Sequence, residues 1–503
     1  MRAAAADDDK LLRESMGFGS FGQLRKRKRH GQAKLPQQLR GAPEIEWFSC
    51  AGSDATETET KLGLGKLHMG GGGPAATGAP HPCLSCPGLE AMLLKAKLSF
   101  RCVERQQFCA ARARANPHEA LGRGPRAQPY LNRAALKLAS LDALCGLSRL
   151  ASASEPLLFA DLCGGPGGFS QYLLRKRRSP SCDDPRGAHA GGGARGWGMS
   201  LRDGSACDWD ASALHPYLRD ARDGHTAAGA CALELVDGED GSGDICRVRN
   251  VAQLVRVARE GAAAAMTCSA GDKADGAGGA VRDAGAGPLR LVVADGGFEE
   301  ARNHAQQERV ATRLILAQSV AALQLLRRGG AFVLKMFGAA APTTASLVLL
   351  LARLFDALAV VKPVTSRPAS GERYLVCRGF AEPRHAAALL QPVTQHMLRA
   401  LCHYDSCASA SATSNLVSLV PPAVLAEDKQ FCAFLRRSND QLARAQLDAC
   451  TAIQREVDEG STCQLDVGGS SANDGHGEHR KRRKRRCTTT GVARSAYWAL
   501  WGI

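Results

Sequence analysis

LLFADLCGGPGGFSQYLL, residues Leu157–Leu174, decides the fold. Leu157–Leu162 is a short apolar run of the kind a buried strand carries. Gly164, Gly165, Gly167 and Gly168 then crowd around Pro166. Phe169, Tyr172, Leu173 and Leu174 follow at helical spacing, ahead of the basic cluster Arg175–Arg178. Strand, glycine turn and helix in that order hold a nucleotide-like ligand at the carboxyl ends of an open α/β sheet. A Walker loop needs Gly-Lys-Ser/Thr at the helix start, but Phe169 and Ser170 follow Gly168; the dinucleotide pattern G-x-G-x-x-G is also absent. Asp161, ahead of the glycines, suits a ligand with an amino acid moiety such as S-adenosylmethionine (SAM). A turn without any ligand is the alternative, although four glycines exceed what it requires.

Downstream, the alternation of strands and helices continues. Gly196–Leu201 reads as a second strand, Asp237–Asp244 as an irregular acidic stretch, and Val251–Arg259 as a helix. Residues 260–288 are nearly all Ala, Gly and Asp, too poor in large apolar side chains to pack, and read as a disordered insertion. The strand Leu289–Ala294 ends in Asp295-Gly296-Gly297-Phe298. A helix over about Gln306–Arg328 follows, with Val310, Leu314, Ala317, Ala321 and Leu325 inward and a Gly329-Gly330 cap. Then come the strand Ala331–Leu334 ending in Lys335, a helix Ala345–Leu358, Val360–Val364, and the strand Leu375–Cys377. The expected architecture is an α/β, Rossmann-like, doubly wound and mostly parallel sheet with helices on both faces.

Upstream, residues 1–85 read as a largely disordered basic region holding Arg25–Arg29 (RKRKR) and Gly70–Gly73. Met16-Gly-Phe-Gly and Leu62-Gly-Leu-Gly-Lys66 hint at a degenerate glycine-patch segment, with a flexible linker as the alternative. Trp47 and Phe48 are candidates to dock on the domain. The main domain is expected over 86–455, with its core at 128–380. Its early helices carry Met92, Leu93, Ala96 and Phe100, then a basic face of Lys97, Arg101, Arg112 and Arg114. Tyr130–Leu144 is an amphipathic helix with Lys137 between Leu136 and Leu138, and 381–455 reads as helical. Residues 456–490 read as a low-complexity linker carrying Arg480–Arg486 (RKRRKRR), which suits nuclear import or nucleic-acid contact. Residues 491–503 are apolar enough to pack back.

The 503 residues carry 65 Lys and Arg against 49 Asp and Glu, a net charge of +16, which favours a polyanionic partner. No run of about 18 apolar residues and no secretory leader is visible, so a soluble, intracellular chain is expected. The 19 cysteines are scattered and read mostly as small buried hydrophobes. Cys83-x-x-Cys86 and Cys402-His403…Cys407 lack a well-spaced second pair, so no metal is expected.

Asp295 and Lys335 each end an expected strand, where an α/β sheet lines its ligand crevice. Lys137 and Glu372 complete two lysines and two carboxylates able to face one pocket. A lysine ordinarily holds its proton near pH 10. Desolvation and a second ammonium favour its neutral form, while the carboxylates orient the lysines and limit that drop. Such a lysine suits proton removal from a sugar hydroxyl during methyl transfer.

The order Lys137, Asp295, Lys335, Glu372 resembles the K-D-K-E tetrad of FtsJ-like RNA ribose 2′-O-methyltransferases. Within them, ARARANPHE, YLNRAALKLASLD, GWGMSL, VVADGGF, GGAFVLKMF and KPVTSRPASGERYLVCRGF are similar to segments of the animal cap-specific mRNA 2′-O-methyltransferases, over most of 90–380. The resemblance implies Lys335 as general base, helped by Lys137 and Asp295, with Glu372 completing the tetrad. It implies SAM contacts from Asn132, Cys163, Gly164, Gly165, Pro166, Gly167, Gly168, Phe169 and Asp244. For the RNA and its cap it implies Lys97, Leu98, Ser99, Phe100, Arg101, Arg112 and Ser370. It further implies 5′-capped mRNA as substrate, transcription or capping machinery as a partner class, and a nuclear location. Ser370 stands where the animal relatives have Asn. The chain ends at Trp501-Gly-Ile503, so the guanylyltransferase-like and WW domains of those enzymes are expected to be missing. A methyltransferase of rRNA or tRNA, and an inactive RNA-binding relative, are the rival readings.

Overall fold

The computed structural model describes residues 45–49, 59–69, 82–116, 118–119, 130–152, 154–178, 192–204, 208–218, 231–269, 287–297, 307–382, 386–406 and 416–465. The runs Arg25–Arg29, Gly70–Gly73 and Arg480–Arg486, the Met16 segment, Phe298 and residues 491–503 lie outside them.

In chain order, the elements are β1 (Phe48–Ser49), β2 (His68–Met69), α1 (Pro87–Leu98), α2 (Arg105–Ala115), α3 (Arg133–Cys145), β3 (Leu157–Leu162), α4 (Gly168–Arg177), β4 (Ala194–Met199), α5 (Ala211–Leu214), β5 (Ala232–Leu235), α6 (Val248–Ser269), β6 (Leu289–Ala294), α7 (Gln307–Leu325), β7 (Leu326–Met336), α8 (Pro342–Leu354), β8 (Phe355–Val361), β9 (Arg373–Phe380), α9 (Ala386–Ser406), β10 (Leu416–Ser418), α10 (Pro422–Glu427) and α11 (Lys429–Leu465). Eight strands form one sheet in the order β1-β8-β9-β7-β6-β3-β4-β5. The block β7-β6-β3-β4-β5 is parallel, whereas β9 runs antiparallel to both β7 and β8.

All six residues of β3 are buried, as a central strand flanked on both faces requires. From β3 the chain steps through α4 to β4 on one side; from β6 it steps through α7 to β7 on the other. Right-handed crossovers therefore put α4 and α7 on opposite faces, and the order reverses between β3 and β6. That switch point opens the crevice into which Asp161, the glycine turn and Asp295 project.

Several boundaries differ from the sequence reading. Helix α6 runs to Ser269, so the first ten residues of the expected 260–288 insertion are helical; alanine is the best helix former, and Ala258 and Ala262 are buried in the core. Helix α7 stops at Leu325, before the two glycines. Leu326 already pairs with Leu289, and Gly329-Gly330 lies at a register shift inside β7 instead of capping a helix. Val310, expected inward, is 47% exposed. Phe355–Leu358 belongs to β8, because Phe355, Ala357 and Leu358 pair with Phe380, Arg378 and Cys377 of β9. The strand expected at 196–201 is shifted to 194–199, and that at 375–377 lengthens to 373–380. Strand β5 and helix α5 carried too little periodicity to be seen. Residues 456–465, expected as linker, extend α11.

The region 1–85 is not uniformly loose. β1 pairs with β8, and the Phe48 ring lies 5.5 and 5.3 Å from those of Phe431 and Phe434. Trp47 stacks under the Arg378 guanidinium at 5.5 Å. The Leu62–Lys66 stretch is a turn with Leu62 buried, and Gly65 N donates to His396 Nδ1. The described residues, from Ile45 to Leu465, cluster as one unit.

Candidate active site

Four elements bring the charged quartet together. Lys137 projects from α3, Asp295 follows β6, Lys335 lies near the end of β7, and Glu372 precedes β9. Lys137 Nζ lies 2.8 Å from Glu372 Oε2 and 3.7 Å from Asp295 Oδ2. Lys335 Nζ lies 3.4 Å from Asp295 Oδ1 and 3.5 Å from Glu372 Oε2. Each of the four side chains is 12–15% exposed, so the cluster is largely desolvated yet open at its mouth.

Burial pulls the Lys335 ammonium pKa down, but the Asp295 and Glu372 carboxylates outweigh burial and leave it above its ordinary value. Desolvation and a second ammonium alone would lower it, the drop expected from the sequence; with both carboxylates within 3.5 Å the attraction wins. Burial raises the Glu372 carboxyl pKa, and Lys137 and Lys335 more than reverse this, holding it well below the usual carboxylate range.

Sequence reasoning missed three neighbours. Tyr374 Oη donates to Asp295 Oδ1 at 2.6 Å, Ser366 Oγ donates to Glu372 Oε1, and Lys362 binds the loop that carries Glu372. All three lie within the KPVTSRPASGERYLVCRGF segment, but nothing in their residue type or spacing assigns them a role. Tyr374 could have been placed by strand alternation next to Arg373, whereas Ser366 and Lys362 depend on how the loop folds back.

The glycine turn forms a cradle beside the quartet. Gly167 holds φ +115°, a conformation L side chains rarely adopt, directly before α4. A Cβ at Gly164 would sit 2.5 Å from Asp161 Cγ and 2.5 Å from Trp209 Cη2. Cys163 N donates to Met199 O and Gly165 N donates to Ser200 Oγ. Asn132 caps α3 through Ala134 N, Phe169 is buried with its ring 6.3 Å from that of Tyr374, and Asp244 Oδ1 accepts from Cys246 N. Asp161 Oδ2 takes the Ser170 N–H and hydroxyl, while Asp161 Oδ1 and Trp209 Nε1 are buried with no hydrogen-bond partner among the described residues. An orphan acceptor and an orphan donor around a cradle a single Cβ would fill are features of a built ligand site.

Burial pushes the Asp161 carboxyl up to about 7, against the two hydrogen bonds from Ser170. A folded pKa above the unfolded 3.8 means the group's stabilising contribution is complete below the unfolded value and is lost as pH rises through about 7. Asp161→Asn is therefore expected to flatten the pH dependence of the urea midpoint between those limits. Parallel wild-type and variant curves would rule the assignment out.

A cavity of about 480 Å³ abuts the quartet, since its wall includes Phe337, whose ring lies 5.6 Å below Lys335 Nζ, and Gly371, next to Glu372. Lys97 also lines it and donates to Gln446 Oε1 at 2.9 Å. The other expected RNA contacts lie elsewhere. Phe100 packs on Phe108, over whose ring Arg112 stacks, Arg101 is exposed, Leu98 is 39% exposed and Ser99 Oγ donates to Ala96 O. Ser370 sits in the loop before Glu372. On the expected basic face Arg114 is tied down, pairing with Glu456 of α11 at 2.7 Å. Among the described residues no His, Cys, Asp or Glu cluster has metal-holding geometry, and no helix is long and apolar enough to cross a membrane.

A switch-point cradle with a lysine–carboxylate cluster at its side places the domain in the Rossmann-like class of α/β methyltransferases. Residues 130–380 match the model of the FtsJ-like methyltransferase family, and this domain belongs to it. The chain is 28% identical to cap-specific mRNA (nucleoside-2′-O-)-methyltransferase 1 of Xenopus laevis, over 89% of this chain and 50% of that protein. It is 28% identical to the protein of the same name from Homo sapiens, over 73% of this chain and 38% of that one. The chain thus spans half or less of these relatives' length. The crystal structure of a ribosomal RNA methyltransferase from Plasmodium falciparum superimposes weakly, with TM-score 0.29 and 16% identity over 50% of this chain and 99% of that one.

Proposed function

We propose that this domain methylates the ribose 2′-oxygen of the first transcribed nucleotide of 5′-capped mRNA, using SAM, in the nucleus. The observation that supports it most is the meeting of Lys137, Asp295, Lys335 and Glu372 beside the cradle. Asn132, the turn Cys163–Phe169, Asp161 and Asp244 would hold SAM, which supplies an electrophilic methyl group when bound. Lys335 Nζ would engage the 2′-hydroxyl and receive its proton as general base. Lys335 is protonated in the resting cluster, so it must first release its proton. Lys137 and the carboxylates hold the amine in place and balance the charge that moves. The neighbouring cavity of about 480 Å³ falls within the range of small-molecule sites, and Lys97 on its wall suits a cap phosphate. The names of the frog and human relatives support the capped substrate.

The deciding experiment is transfer of labelled methyl from SAM to a short RNA with and without a 5′ cap, followed by mapping of the modified ribose. Cap-dependent labelling of the first nucleotide is expected. Equal labelling of uncapped RNA would support the rRNA or tRNA reading, and none at all the inactive relative.

A further inference from the structure

Lys362 lies just beyond β8 and points back into the loop that carries Ser370 and Glu372. Its Nζ lies 2.8 Å from Ser370 O, 2.8 Å from Glu372 O and 3.4 Å from Ser370 Oγ. Ser370 Oγ gives its own proton to Arg367 O at 2.8 Å, so towards Lys362 it can only accept. Three acceptors on one nitrogen require three N–H donors, which only the ammonium form possesses. The same turn is closed by Ser370 N on Arg367 O, and Glu372 is held at its far oxygen by Ser366.

We propose that the Lys362 ammonium is a positioning residue that folds the 367–372 loop, setting Glu372 against the lysine pair and presenting Ser370 to the RNA strand. The proposal rests on the methyl-transfer reading above. Its surroundings make the clamp sensitive. Burial, with Arg373 at the start of β9, Lys97 of α1 and Lys137 of α3, pulls this ammonium down to about 7, opposed by Glu372 of the loop itself. The loop is thus held by a charge that the fold tolerates only because three acceptors surround it.

Lys362→Met keeps an unbranched, flexible stem one atom shorter and removes every donor. It is expected to lower kcat and to raise the KM for capped RNA by about tenfold each, since small misplacements of reacting groups cost that much or more, with SAM affinity unchanged by calorimetry. In an E372A background, K362M should cost less than about a further twofold in single-turnover rate, because the path through Glu372 is already gone. Should K362M lack a cooperative thermal transition, Lys362→Gln, which keeps two donors, is held to the same criteria. A wild type inactive on every RNA overturns the functional reading and this proposal with it. An active wild type matched by the variant, or a full multiplicative loss on E372A, overturns the positioning role alone.

Discussion

Lys335→Ala is expected to cut methyl transfer to RNA by about 10²–10⁴-fold, the usual worth of a general base, while SAM binding stays within about twofold. The split follows from where the side chain sits. Lys335 Nζ contacts Asp295 and Glu372 and stacks over Phe337, whereas the glycine cradle is built by the β3–α4 turn with Trp209 and Asn132 on its walls. The pH profile belongs to the same expectation. Asp295 and Glu372 hold the Lys335 ammonium above its ordinary pKa, so the wild-type rate should climb with pH through the neutral and mildly alkaline range as the free amine becomes populated. Glu372→Gln removes one of the two carboxylates, lowers the lysine pKa and should move that climb to lower pH, even as kcat itself falls. Single-turnover rates across pH test this. A K335A enzyme with wild-type rate, or an E372Q profile displaced towards higher pH, would remove Lys335 from the role of base.

The strands that flank the crevice were legible because their residues report burial directly. LLFADL and LRLVVA are continuous apolar runs, and β3 and β6 occupy those very residues. The quartet was legible because two of its members end such strands. What the chain hid was decided by pairing across the sheet. Nothing local to Leu326 announces that it will abandon a helix to pair with Leu289, nor that Phe355 will open an antiparallel strand against Phe380. The Ala-rich end of α6 was hidden for a different reason: a composition too small to form a core of its own can still fill a groove that larger side chains such as Trp197 create. The missing drop in the Lys335 pKa had the same origin, since the sequence shows two carboxylates but not that both lie within 3.5 Å.

Gly164→Ala should abolish SAM binding, raising its Kd by about 100-fold or more, the scale on which loss of a close-fitting contact set is felt. The added Cβ would meet Asp161 Cγ and Trp209 Cη2 at 2.5 Å each, and neither neighbour has room to yield. Asp161 is fixed by the Ser170 N–H and hydroxyl at the first turn of α4, and Trp209 is buried against Gly198 of β4. The turn itself must therefore move outward, into the space the ligand needs, because a packed interior accommodates even one methyl group only by displacement. The same displacement would carry Gly165 off Ser200 Oγ. Stability should fall as well, since Asp161 would be shifted on its Ser170 bonds, but by about 1–3 kcal/mol, a typical overpacking cost that leaves the protein folded at 25 °C. Calorimetric titration with SAM, read beside the thermal midpoint, separates the two effects. A G164A protein that binds SAM as the wild type does would show that the methyl donor sits elsewhere in the crevice, and the quartet would then need a different neighbour to serve.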